Sequence, residues 1–115
     1  MVSKVVKFKE NEYQLKYPTV GQLIDIRVLE QQLSKGTAKD LIMGLNVDVD
    51  GYIYITSIAH VQVLLPDLVK DLKVPLLDMG ILDFQDIVDL YSEEIAPWLT
   101  EWKDKIKERM KQKSE

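Results

Sequence analysis

The 115-residue chain contains no cysteine, so disulfides, thiolate metal sites and cysteine nucleophiles are excluded, and a reducing compartment is the natural setting. One histidine, His60, cannot supply an imidazole cluster for zinc. No apolar run approaches the roughly 20 residues needed to span a bilayer, and the opening MVSKVVKFKENEY lacks a signal-peptide core. A soluble, cytoplasmic protein with no membrane partner is expected. Glycine-rich phosphate loops, nucleophile elbows and dinucleotide fingerprints are missing as well. Neither an enzyme nor a bound cofactor is therefore expected, and the catalytic residues are read as none.

Basic residues are absent from 78 to 100, a segment that carries the six acids Asp78, Asp83, Asp86, Asp89, Glu93 and Glu94. Residues 101 to 115 reverse the balance, with six bases against four acids. A net charge of −4 makes the chain a poor general ligand for nucleic acid, because phosphate contacts need clustered positive charge. No nucleic-acid partner is expected.

Among what is present, an apolar content of 46% over this length supports one core and hence one domain, 1–115. Residues 4–17 alternate apolar and polar around a polar ENE centre, which predicts a β-hairpin ended by Pro18. Thr19 and Gln22 form a capping-box pair ahead of Leu23, Ile26, Leu29 (or Glu30) and Leu33, so a helix over about 20–34 follows, stopped by Gly36. Thr37 and Asp40 repeat that start signal for a short helix to Leu45. From Tyr54 the steps Ile58, Val61, Leu65, Leu68 and Leu72 trace one buried helical stripe within a helical region spanning 19–73. Pro66 lies inside the stripe and either kinks the helix or opens a second one at its first turn.

VPLLDMGILD, residues 74–83, reads as a connection that lends apolar side chains to the core. C-terminal helices then occupy 83–112: Phe84, Ile87, Val88, Tyr91 and Ile95 share one face, Pro97 interrupts it, and Leu99, Trp102, Ile106 and Met110 resume the step. The fold class expected is α+β, mostly α: an N-terminal β-hairpin followed by four to six helices in one compact domain.

One stretch imitates a metal site. NVDVDGYIYITS places Asn46, Asp48 and Asp50 as an EF-hand loop does, but the twelfth position, normally a bidentate glutamate, is Ser57. The metal reading is therefore none. Asp50-Gly51 is better explained as a reverse turn leading into a helix, with a short hairpin through YIYIT as the alternative. His60 has only the Ser57 hydroxyl within easy helical reach and reads as structural. Trp98 and Trp102 are one turn apart; tryptophans are favoured interface anchors, and at least one of this pair is expected to belong to the core. Ile95, Leu99, Trp102, Ile106 and Met110 lie beyond the expected core and, together with Trp98, form the candidate partner-binding surface, with Met110 supplying adaptability.

Taken in order, the lysine-rich hairpin with Phe8, Tyr17-Pro18-Thr19-Val20, the Ser34-Lys35-Gly36 corner, Leu64-Leu65-Pro66-Asp67-Leu68, and Pro97-Trp98 with Trp102 resemble the small tail assembly chaperones of long-tailed bacteriophages. The resemblance covers most of the chain. It implies a helper in the host cell cytoplasm whose partner is a tape-measure or other tail protein, long and helical, kept soluble while tail-tube subunits assemble round it. Self-association as a homo-oligomer through the same faces is the expected alternative, as in a structural virion component. A calcium-responsive module built on residues 46–57 is a third class, one that the missing twelfth ligand disfavours.

Overall fold

A computed structural model describes residues 3–34 and 49–114 of the chain. The expected short helix over 37–45 and the ligand-like Asn46 and Asp48 lie outside the described residues.

The chain opens with an antiparallel hairpin, β1 (Ser3–Phe8) and β2 (Asn11–Lys16), in which Lys4 faces Leu15, Val6 faces Tyr13 and Phe8 faces Asn11. Val6, Phe8 and Leu15 are buried, so the alternating pattern does turn one face inward. The turn falls on Lys9 and Glu10, one place ahead of the expected ENE centre. Lys9 takes a left-handed φ of 57°, which is uncommon outside glycine, asparagine and aspartate. The hairpin is fastened to the helices by Lys4 Nζ on Glu94 Oε2 at 2.7 Å and by the Tyr13 hydroxyl donating to Asp71 Oδ2 at 2.7 Å.

Helix α1 (Val20–Leu33) begins with the capping box read from the sequence: Gln22 N–H donates to Thr19 Oγ1 at 3.1 Å, and Thr19 N–H donates to Gln22 Oε1 at 2.9 Å. Two orphan donors of the first turn are thereby satisfied. Its inner face buries Ile26 and Glu30 against α2 (Val49–Leu64). Asp50-Gly51 is thus not a reverse turn but part of the first turn of α2, and residues 52–56 are helical. Burial overrides the local turn preference there: Ile53 and Tyr54 pack on the core, continuing the stripe of Ile58 and Val61, and a glycine near a helix end costs only about 1 kcal/mol.

The long stripe is buried as its periodicity requires, through Ile58, Val61, Leu65 and Leu68. Pro66 resolves in favour of a new helix. Leu65 leaves helical geometry (φ −128°, ψ 60°) and Pro66 opens α3 (Pro66–Asp71), where its missing N–H is one of the unbonded donors in any case. A single 3₁₀ turn, Leu76–Asp78, then leads to α4 (Ile81–Leu90), whose buried face is Phe84, Ile87, Val88 and Leu90.

Pro97 does not interrupt the helix that follows. Between α4 and α5 (Ala96–Ser114) lies a π-turn, Tyr91–Ile95, in which Ala96 N–H reaches back to the Tyr91 carbonyl, five residues away. Proline in an α-helix clashes with the carbonyl four residues earlier, and widening the preceding turn moves that carbonyl aside. Leu90 and Ile95, five apart, are both buried across this turn, and the chain enters α5 without a break. The expected fold class is the one observed: a small α+β domain, mostly α, with an N-terminal hairpin and then helices.

Candidate partner-binding surface

The expected surface divides in two along α5. Ile95, Trp98 and Leu99 belong to the core, not to a dispensable stripe beyond it. Trp98 stacks on Tyr17 with ring centroids 4.1 Å apart and planes 12° apart, an aromatic pair that ties the start of α5 to the segment between β2 and α1. Tyr17 lies some eighty positions upstream of Trp98, so helical spacing within the C-terminal segment gave no sign of this contact. Past Thr100, whose hydroxyl donates to the Ala96 carbonyl at 3.0 Å, the described side chains of α5 are exposed, Ile106 at 39% and Met110 at 64%. The Trp102 side chain lies outside the described residues; its backbone is within α5.

A stripe that the sequence reading missed lies on α1. Val20, Ile24 and Val28 recur every four residues and remain 75%, 57% and 49% exposed, on the side of the helix away from Ile26. The signal was available. Helix α1 carries apolar residues on two faces, and the inner set that packs on the core is Ile26, Leu29 and Leu33.

Val20, Leu23, Ile24 and Val28 line one wall of a groove of ≈ 370 Å³, and Leu99 and Lys103 of α5 line the other. Arg27 and His60 complete it. Beneath the groove lies a buried polar cluster. His60 Nδ1 is 2.7 Å from the Thr56 carbonyl, which can only accept, so Nδ1 carries the hydrogen. Burial pushes the His60 pKa below its ordinary 6.5, against the opposing pull of that carbonyl and of Glu30. The imidazole also leans on the Tyr91 ring, with centroids 4.8 Å apart, and burial raises the Tyr91 phenol above its usual range. Glu30 is paired with Arg27 Nη1 at 2.7 Å through Oε1, while its Oε2 and the Ser57 hydroxyl have no hydrogen-bond partner among the described residues. Each such orphan costs roughly 1–3 kcal/mol.

This cluster contains no nucleophile bonded to His60, since the Thr56 hydroxyl at 3.3 Å from Nδ1 meets the nitrogen that already donates to a carbonyl. Among the described residues no group of three or more acids or histidines is arranged to hold a metal ion. Asp50, the only EF-hand-like position within a described element, sits inside α2. Among the same residues no helix is long and apolar enough to cross a membrane.

A second apolar patch surrounds the start of α4, where Leu77, Ile81 and Leu82 are exposed, Leu82 at 90%. The stretch read as a core-lending connection therefore contributes Leu76 and part of Met79 to the interior and turns its other apolar side chains outward. In comparisons with family models, curated proteins and solved structures, none matches the chain.

Proposed function

We propose that the chain is a non-enzymatic interaction protein of the phage tail assembly chaperone type, which binds a long helical tape-measure protein and keeps it soluble during tail assembly. The observation that carries the reading is the uncovered stripe Val20, Ile24 and Val28 on α1, with Leu99 and Lys103 across the groove. A chaperone for a helical client needs apolar helix faces left over once its own core is filled, bordered by charge that keeps the free protein in solution. The resemblance of the hairpin, the Tyr17–Val20 segment and Pro97-Trp98 to that family supports the same reading, and the host cytoplasm is the setting it implies.

Co-expression with a long helical tape-measure protein tests it. The soluble fraction of the client rises with the parent chain and falls with Ile24→Asp, a substitution at an exposed site that leaves stability within about 0.5 kcal/mol. A client equally soluble with the parent, with the variant and with neither refutes the proposal. The separate patch at Leu77, Ile81 and Leu82 favours a second reading, a structural component that assembles through two faces of each copy. Light scattering separates them, since an oligomer that persists on dilution belongs to the structural role.

A further inference from the structure

Among the described residues the charged side chains that line the α1–α5 groove are of one sign: Arg27 and Lys103, with His60 also in the lining and no carboxylate among them. At about 100° per residue, Leu99, Lys103, Ile106, Lys107 and Met110 share one side of α5, while Glu101 and Glu108 fall on the opposite side and Asp104 lies beyond Lys107, away from Leu99. On α1 the exposed acid Asp25 lies beyond Val28, away from Arg27, and the other acid, Glu30, is buried. Arg27 gives one nitrogen to Glu30 and keeps 65% of its side chain exposed, leaving guanidinium donors for a further acceptor.

We infer that this groove takes an amphipathic helix of a partner polypeptide whose apolar stripe is flanked by carboxylates. The inference rests on the interaction role proposed above and adds the partner's chemistry. Both walls are helices and present no strand edge, so an extended peptide finds no backbone groups with which to pair. A helix satisfies its own backbone and offers only side chains. Its apolar residues at four-residue spacing match the rise between Val20, Ile24 and Val28, about 6 Å per step. Its carboxylates meet Arg27 on one rim and Lys103 and Lys107 on the other.

The test uses two designed peptides of about 20 residues, each some 30 Å long as a helix, with the same leucine stripe flanked either by glutamates or by lysines. Titrated into the full chain by fluorescence anisotropy at low salt, the glutamate peptide binds about tenfold or more tighter than the lysine peptide. The gap shrinks at about 0.5 M salt, where screening acts over a few ångströms. The double variant Lys103→Glu/Lys107→Glu, at exposed positions and with unchanged circular dichroism, reverses the preference, and Ile24→Asp weakens both peptides.

Equal binding of the two peptides, no binding of either, or a preference that survives the lysine reversal overturns the inference. The two proposals fail separately. A tape-measure protein that is solubilised while the peptides show no charge preference removes the groove's acidic partner and leaves the chaperone role. Peptides that behave as stated beside a client that is not solubilised do the reverse.

Discussion

Replacing Trp98 by alanine separates a core role from a docking role more sharply than any other single change. The indole is 7% exposed and lies flat on Tyr17 at 4.1 Å. A buried aromatic side chain removes about 150–250 Å² from water, worth about 4–6 kcal/mol at roughly 25 cal/mol per Å². Alanine recovers little of that, and truncations of this kind cost about 3–5 kcal/mol once the cavity relaxes. Loss of the Tyr17 stack adds about 0.5–1.5 kcal/mol. A domain of this length holds a total stability of the order of 5–15 kcal/mol, so Trp98→Ala removes a large share of it. In urea unfolding followed by circular dichroism, the midpoint falls with the slope unchanged, and the melting temperature drops by roughly 4 °C for each kcal/mol. Trp98→Phe, which keeps a ring over Tyr17, recovers more than half of the loss. A Trp98→Ala protein within about 1 kcal/mol of the parent, yet defective in client binding, would restore Trp98 to the docking surface and refute its placement in the core.

Two further outcomes follow from local geometry. Lys9→Gly relieves a left-handed backbone worth about 1–2 kcal/mol, set against the entropy of glycine and a weak contact of the Lys9 ammonium with the Phe8 ring at 5.7 Å, for a net gain of about 0.5 kcal/mol in denaturant unfolding; a loss shows that the turn is not strained. Because burial lowers the folded-state pKa of His60 below 6.5, with Arg27 and Lys103 adding to the effect and Glu30 and the Thr56 carbonyl opposing it, the unfolded chain binds that proton first; stability is full above about pH 6.5 and declines as pH falls toward the folded value, and His60→Phe flattens that part of a pH series of melting curves.

The elements governed by local rules were legible. The capping box at Thr19, the hairpin alternation and the Tyr54-to-Leu68 stripe each follow from bonds or packing within a few residues of the chain, and the structure has them where the spacing puts them, whereas at Pro66 the spacing allowed a kink or a new helix and the structure has the new helix. What escaped depends on contacts between distant segments. Asp50-Gly51 reads as a turn only while the burial of Ile53 and Tyr54 is unknown. Trp98 reads as an anchor for a partner only while Tyr17, its partner within the chain, is unplaced. The outer stripe of α1 is masked for a different reason: Leu23, Ile26 and Leu33 already complete one apolar face at helical spacing, and Val20, Ile24 and Val28 stand at equally regular spacing beside it.

The π-turn is what allows one helical run to serve both the interior and the surface. A regular helix from Ile81 onward would advance about 100° at every step and would set a carbonyl against the Pro97 ring. Lengthening one turn by a residue clears that carbonyl, keeps Leu90 and Ile95 facing inward, and sets Trp98 on Tyr17. With its first turn fixed in this way, α5 continues past the edge of the core, and Lys103, Ile106, Lys107 and Met110 follow Leu99 along one line. Trp98 is then an anchor in a sense other than the one its sequence context suggests: it holds the base of α5, where Leu99 and Lys103 line the groove opposite α1. A change at Trp98 therefore alters partner binding only through the stability and direction of α5, whereas a change at Ile24 or Lys103 acts on the partner directly and leaves the fold in place.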